Sequence, residues 1–174
     1  MVKIVIASLL FYKKMRLRIF HFMTSKNINI ESAQNLAKVA SDLMHERDHC
    51  AHALGITPVS IAPGEATINM FVRKDMVNGH DICHGGMIFT LADTAFAHAC
   101  NSHNNNTVAS GCSIDFVHPA KANDTLTATA KERSLSGRTG VYDVMVINQE
   151  HQVIAHFRGR SYRISGHLVP ENNE

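Results

Sequence analysis

Between Asp81 and Asp115 a single side chain carries formal charge at pH 7, that of Asp93. It lies in Gly85-Gly86-Met87-Ile88-Phe89-Thr90-Leu91-Ala92-Asp93-Thr94-Ala95-Phe96-Ala97-His98-Ala99-Cys100, a run otherwise apolar or small. Such a run reads as one helix, from about Gly85 to about Asn101, apolar enough to be covered on most sides. Its lone carboxylate is then buried or half buried, where an ionised group is costly without partners. His84-Gly85-Gly86 opens the run, and the glycines let bare backbone N–H groups approach a ligand. A helix start able to stabilise an oxyanion, with one unusual carboxylate nearby, points to acyl-transfer chemistry.

The flanking segments say what covers the helix. Glu31 to Leu54 is rich in helix formers, with Leu36, Val39, Ala40 and Leu43 at helical spacing and Gly55 as a stop. Ile56 to Ile61 reads as a strand that Pro58 confines to an edge. After the Ala62-Pro63-Gly64 turn, Glu65 to Arg73 alternates cleanly. Asp75 to Cys83 reads as a loop. Four strands follow the apolar helix: Thr107 to Val117, with Val108, Cys112, Ile114 and Phe116 on one face, then Thr125 to Glu132, Val141 to Ile147 and Val153 to Ile164. Ser136-Gly137-Arg138 and Asn148-Gln149-Glu150 mark turns. The order predicts an α+β fold, an antiparallel sheet wrapped around a central apolar helix. A sheet of this size covers one side of the helix, so the other side is expected to meet a second chain.

At 174 residues the chain fits one domain, with 45% hydrophobic and 18% charged residues as in globular proteins. The expected organisation is an N-terminal extension over 1–25, a core domain over 26–165 and a polar tail over 166–174. Residues 1–23 differ in character: Ile4 to Tyr12 is apolar, and Lys13-Lys14-Met15-Arg16-Leu17-Arg18 is basic. The apolar part is too short to span a bilayer and lacks a cleavage site. Three readings compete: an upstream extension with Met15 or Met23 as the true start, an interfacial anchor, or an added strand; the first is preferred. A net charge of +2, with scattered basic residues, gives no case for nucleic acid. Four cysteines without CxxC spacing suit a reducing, cytoplasmic setting.

Asn78-Gly79-His80, Cys83-His84-Gly85-Gly86 and Leu91-Ala92-Asp93-Thr94-Ala95-Phe96-Ala97 together resemble the hotdog-fold acyl-CoA thioesterases, in particular the PaaI family of phenylacetate degradation. Ser113-Ile114-Asp115-Phe116, Asp124 to Ala130, Thr139 to Asp143 and Phe157 to Ser161 extend the likeness over about Ser32 to Ile164. The resemblance implies the hotdog fold and hydrolysis of phenylacetyl-CoA or hydroxyphenylacetyl-CoA thioesters to free acid and coenzyme A. It also implies no metal or redox cofactor, no membrane, and a homotetramer built as a dimer of dimers. Through it, the Gly85 N–H is the oxyanion donor, and Asp93 is general base or nucleophile. Asn78 orients substrate or merely forms a turn. His84 stabilises the loop or touches the thioester sulfur. Ser113 helps hold water or is an ordinary strand hydroxyl. Coenzyme A phosphates need cations, and Arg138, Arg158, Arg160 and Arg163 are candidates or else solvated strand arginines.

Spacing adds a constraint of its own. Asp93 follows Gly85 by eight positions, about 12 Å along a helix. One helix cannot bring both groups to one carbonyl carbon, whereas two antiparallel copies can, so the site is expected at a dimer interface.

Two rivals stand beside this. His45-Glu46-Arg47-Asp48-His49 fits the His-Glu-x-x-His zinc pattern, with His52 one turn on as a third ligand. However, Arg47 and Asp48 read as a solvated face. His80, Cys83 and His84 form a second cluster without a four-ligand spacing. The other rival is a non-catalytic acyl-CoA binding protein or an acyl-CoA dehydratase on the same fold.

Overall fold

The computed structural model describes residues 32–170. The extension over 1–25, with its three readings, and the end of the tail lie outside them. Residues 32–47 are helical (α1), but the helix expected to reach Leu54 breaks at Asp48. There φ is −86° and ψ 83°, and the Asp48 carboxylate accepts the Ala51 N–H at 2.9 Å, capping a short helix α2, His49–Leu54. An aspartate that offers its oxygen to the local backbone competes with the helical ladder. Gly55 closes α2 at φ 68°, the left-handed cap its position suggested. The buried side of α1 is also corrected. Ala37, Ala40 and Ser41 are buried, while Leu36 and Val39 are exposed. Small side chains let α1 approach closely enough for the Ser41 hydroxyl to meet His98 of the central helix at 2.7 Å.

Six strands form one antiparallel sheet: β1 (Thr57–Ala62), β2 (Glu65–Phe71), β3 (Thr107–Phe116), β4 (Thr125–Ser136), β5 (Thr139–Ile147) and β6 (Val153–Arg163), ordered β1-β2-β4-β5-β6-β3. Pro58 lies on edge strand β1, as expected. β4 passes Glu132 through a bulge at Arg133 and continues to the turn at Gly137, where φ is 59°. The other edge, β3, departs from simple alternation. Ala109 pairs with Ser161 and Gly111 with Arg160, so Ser110 is an extra residue. One extra residue reverses which side chains face inward. Cys112, Ile114 and Phe116 share the inner face, and Val108 falls on the outer one, contrary to the single face expected.

The central helix α3 spans Gly85–Asn101, as its composition predicted. It lies on the inner face of the sheet, over a core that includes Ile68, Met70, Leu126, Val144 and Val146. Phe96 locks it in place, with ring centroids 5.5 Å from Tyr142 and 5.9 Å from Phe157. Directly opposite is Gly159, where an added Cβ would sit 2.7 Å from the Phe96 ring. The sheet covers only one side of α3. Gly86, Thr90, Asp93 and Ala97 recur at helical spacing along a stripe that stays partly open.

Candidate active site

The start of α3 is built by His84. Its backbone N–H donates to the Met76 carbonyl at 2.8 Å, its Nδ1 accepts the Gly86 N–H at 2.9 Å, and its carbonyl accepts the Met87 N–H at 2.9 Å. A helix leaves its first N–H groups without intrahelical acceptors. Here the groups of His84, Gly86 and Met87 are satisfied, and only that of Gly85 has no acceptor among the described residues. An unpaired N–H at the positive end of a seventeen-residue helix is a donor for developing negative charge. The acceptor role of Nδ1 also fixes the ring as the tautomer with its proton on Nε2. His84 is thus a capping residue.

Glycine at 85 has a reason the sequence did not show. A Cβ there would come within 3.0 Å of Phe116 Cζ, so the missing side chain faces an aromatic ring of its own chain.

Asp93 lies two turns further along the partly open stripe. Burial pushes its carboxyl above the ordinary carboxylate range, and the Cys112 thiol, with Sγ 3.9 Å from Oδ1, opposes that shift. A carboxylate tuned upward is better matched to accepting a proton near neutrality. The sequence did not single out Cys112. Alternation already put it on one face with Ile114 and Phe116, but nothing in the sequence gave it a role beside Asp93. Cys100, one heptad after Asp93 on α3, completes the neighbourhood, its thiol pushed up to about 12 chiefly by burial and then by Asp93.

The other residues fall in separate places. Asn78 closes its own turn, with Oδ1 accepting the His80 N–H at 2.9 Å; its Nδ2 has no acceptor among the described residues. Cys83 is buried, its thiol raised to about 11 by burial. Ser113 lies on the outer face of β3, in a cavity of about 680 Å³ that includes Asp143, His156 and Arg158. Within one chain the sheet separates it from Asp93. That cavity holds none of the groups at the helix start.

The arginines divide. Arg158 is held bidentately by Asp143 at 2.7 and 3.0 Å. Arg160 lies over Gly111, whose added Cβ would meet Nη2 at 3.1 Å. Arg138 and Arg163 adjoin, the Arg163 N–H donating to the Arg138 carbonyl at 2.7 Å, and both line a crevice with Ser161.

The zinc pattern is broken by the turn at Asp48. His49 lies exposed on α2, while His45 turns inward, its ring 4.6 Å from His52 and 6.3 Å from His98. No group of three metal-ligating side chains converges among the described residues. None of the described helices is long and apolar enough to cross a membrane.

Residues 80–155, which hold both the capped helix start and Asp93, match the thioesterase superfamily. Acyl-coenzyme A thioesterase PaaI of Escherichia coli is 52% identical over 128 residues, 74% of this chain and 91% of that protein. This chain belongs to the thioesterase superfamily. It is a thioester hydrolase with the hotdog fold. The solved structure of E. coli PaaI, described as coming from the phenylacetic acid degradation operon, superposes with a TM-score of 0.76 at 50% identity, covering 77% of this chain and 97% of that one. The TT0310 protein of Thermus thermophilus follows at 0.65 and 39%, covering 68% and 99%. The smu.793 protein of Streptococcus mutans, solved with acetyl-CoA bound, gives 0.62 at 27%, covering 64% and 90%.

Proposed function

We propose that this enzyme hydrolyses aryl-acetyl-CoA thioesters, phenylacetyl-CoA or its ring-hydroxylated forms, to the free acid and coenzyme A. The observation that carries the reaction is the unpaired Gly85 N–H at the head of a helix that also bears Asp93. The acyl preference is supported by the extent of identity to PaaI, whose structure is ascribed to a phenylacetic acid degradation operon. A cytoplasmic setting accords with that role.

The active site is shared between two copies of the chain. Gly85 and Asp93 are too far apart on one helix to act on one carbonyl. The partly open stripe of α3 and the edge of β3, with Phe116 and Val117 exposed, are the surfaces a second copy would cover. In the dimer, Gly85 of one copy polarises the thioester carbonyl, and Asp93 of the other takes a proton from water. The water oxygen bonds to the carbonyl carbon, the C–S bond breaks, and the proton passes to the departing sulfur. The Asn78 amide group, whose Nδ2 has no acceptor among the described residues, assists in orienting the carbonyl, and His84 holds the helix start. Ser113 enters the site only if the second copy brings it there. The tetramer of the family would pair two such dimers.

Among the cations, Arg138 and Arg163 are the stronger candidates for coenzyme A phosphates. Their guanidinium groups are not tied to carboxylates among the described residues, whereas Arg158 is neutralised by Asp143. Arg160 is intermediate, without an ion pair among the described residues but packed on Gly111.

Thiol release from a panel of phenylacetyl, short aliphatic and long-chain CoA esters tests the proposal, comparing the native enzyme with Asp93→Asn. Preference for aryl-acetyl esters, with hydrolysis lost in a folded Asp93→Asn, is the expected result. Failure of the folded native enzyme to cleave any aryl-acetyl ester would overturn the substrate, and an active Asp93→Asn would overturn the base.

A further inference from the structure

Asp93 receives one polar contact from its own chain among the described residues, that of Cys112. The contact is arranged by the fold. Strict alternation from Ala109 through Ser110 would turn Gly111 and Ser113 inward; because Ser110 is bulged out of the pairing, Cys112 faces α3 instead, directly across from Gly159. Bulges re-aim side chains in this way beside functional sites.

We propose that Cys112 is the positioning residue of Asp93: its S–H donates to Oδ1, fixes the orientation of the carboxylate on the open side of α3 and favours the ionised form. The proposal rests on the reading of Asp93 as the catalytic base. An ionised carboxylate in a half-buried stripe needs donors, and a thiol is a weak one. Cys112 is suited to the task because it stays protonated. Burial and the neighbouring carboxylate both raise its pKa, and only Arg160 on β6 acts the other way. Cys100 on α3, a further titratable group beside Asp93 among the described residues, is kept protonated by burial. A thiol held in this state is a donor rather than a nucleophile.

The test is a pH profile of phenylacetyl-CoA hydrolysis for the native enzyme, Cys112→Ala and Cys112→Ser, together with carbon-13 NMR titration of the Asp93 carboxyl. Cys112→Ala is expected to lower kcat about three- to tenfold, the usual range for one lost hydrogen bond. KM should hold, and the acidic limb should move to higher pH. Cys112→Ser, with a hydroxyl donor in the same place, should restore both. The carboxyl titration should follow the same order without reference to activity. An unchanged limb and unchanged titration in Cys112→Ala would overturn the proposal, as would equal defects in the serine and alanine variants. An active Asp93→Asn would instead remove the catalytic reading, while the NMR titration would still decide whether Cys112 acts on the carboxyl.

Discussion

His84 Nδ1 accepts the Gly86 N–H at 2.9 Å, and that bond singles out Gly85 as the open donor of the helix start. Removing the ring in His84→Ala would leave two competing N–H groups and loosen the first turn. The loss of a side-chain N-cap costs about 1 kcal/mol of stability. We expect a denaturation midpoint lowered accordingly and kcat/KM reduced, by less than the roughly hundredfold that losing an oxyanion donor outright costs. His84→Asn, whose side-chain oxygen can still cap, should keep most of both. Equal losses in the two variants would mean that the ring does something other than cap.

Gly85→Ala discriminates two reasons for the glycine. The added Cβ would meet the edge of Phe116 at 3.0 Å, a ring that is 53% exposed within one chain and can give there by a few tenths of an ångström. The stability of the single chain should therefore change by less than about 1 kcal/mol. Activity should fall, because the displaced ring sits beside the open N–H. The double variant Gly85→Ala/Phe116→Leu should recover part of the lost kcat/KM. A single variant with no rescue would place the constraint in the substrate rather than in Phe116.

Asp93→Asn should abolish hydrolysis and make the protein more stable at neutral pH. Burial raises the folded pKa of this carboxyl above its unfolded value. The native state then binds more protons than the unfolded state across that interval, so the contribution of Asp93 is lost as pH rises through it. The amide has no charge to desolvate. Thermal melts at pH 7 should show a higher Tm for Asp93→Asn; a lower one would mean that the ionised carboxylate has partners that offset its burial.

The route of the oxygen atom separates base from nucleophile. In a single turnover in oxygen-18 water, a base mechanism puts the label in the released acid and none in Asp93. Attack by the carboxylate would instead expel the thiolate and form an anhydride, and water opening that anhydride at the Asp93 carboxyl carbon would leave label in the Asp93 side chain. We expect label in the acid alone, read by mass spectrometry of the product and of the peptide containing Asp93.

Much of this was legible in the residues because local and global signals agree there. An apolar run opened by glycines and stopped at a polar turn gave α3 its bounds at Gly85 and Asn101, and alternation gave the strands. What escaped was set by single extra residues or by close packing. Ser110 enters β3 without changing its composition, yet it puts Val108 on the face opposite Cys112, Ile114 and Phe116. Asp48 looks like one more helix-surface acid until its carboxylate is seen capping α2, a break that removes the zinc pattern. Leu36 and Val39 have the right period for a core face, but α1 docks through Ala37, Ala40 and Ser41. Helical periodicity finds apolar stripes and does not weigh a close approach through small residues that makes a hydrogen bond.

That docking makes the fold sensitive to acid. His98 is buried on α3, with Ser41 Oγ at 2.7 Å and the His45 ring beside it. Burial first, and then His45, lower its pKa from 6.5 to about 4, against the opposing pull of Asp48 and Asp42. The unfolded chain takes up this proton near its ordinary value while the folded chain resists. Stability from this group is therefore full above pH 6.5 and is lost as pH falls toward about 4. Integrated over that window it amounts to at most about 3 kcal/mol. Urea denaturation from pH 7.5 to 4.5 should show the decline, and His98→Gln should flatten it. A His98→Gln variant with an unchanged slope would assign the acid sensitivity to other groups. Ser41→Ala, which strips the buried ring of its partner, should cost about 1–3 kcal/mol at neutral pH.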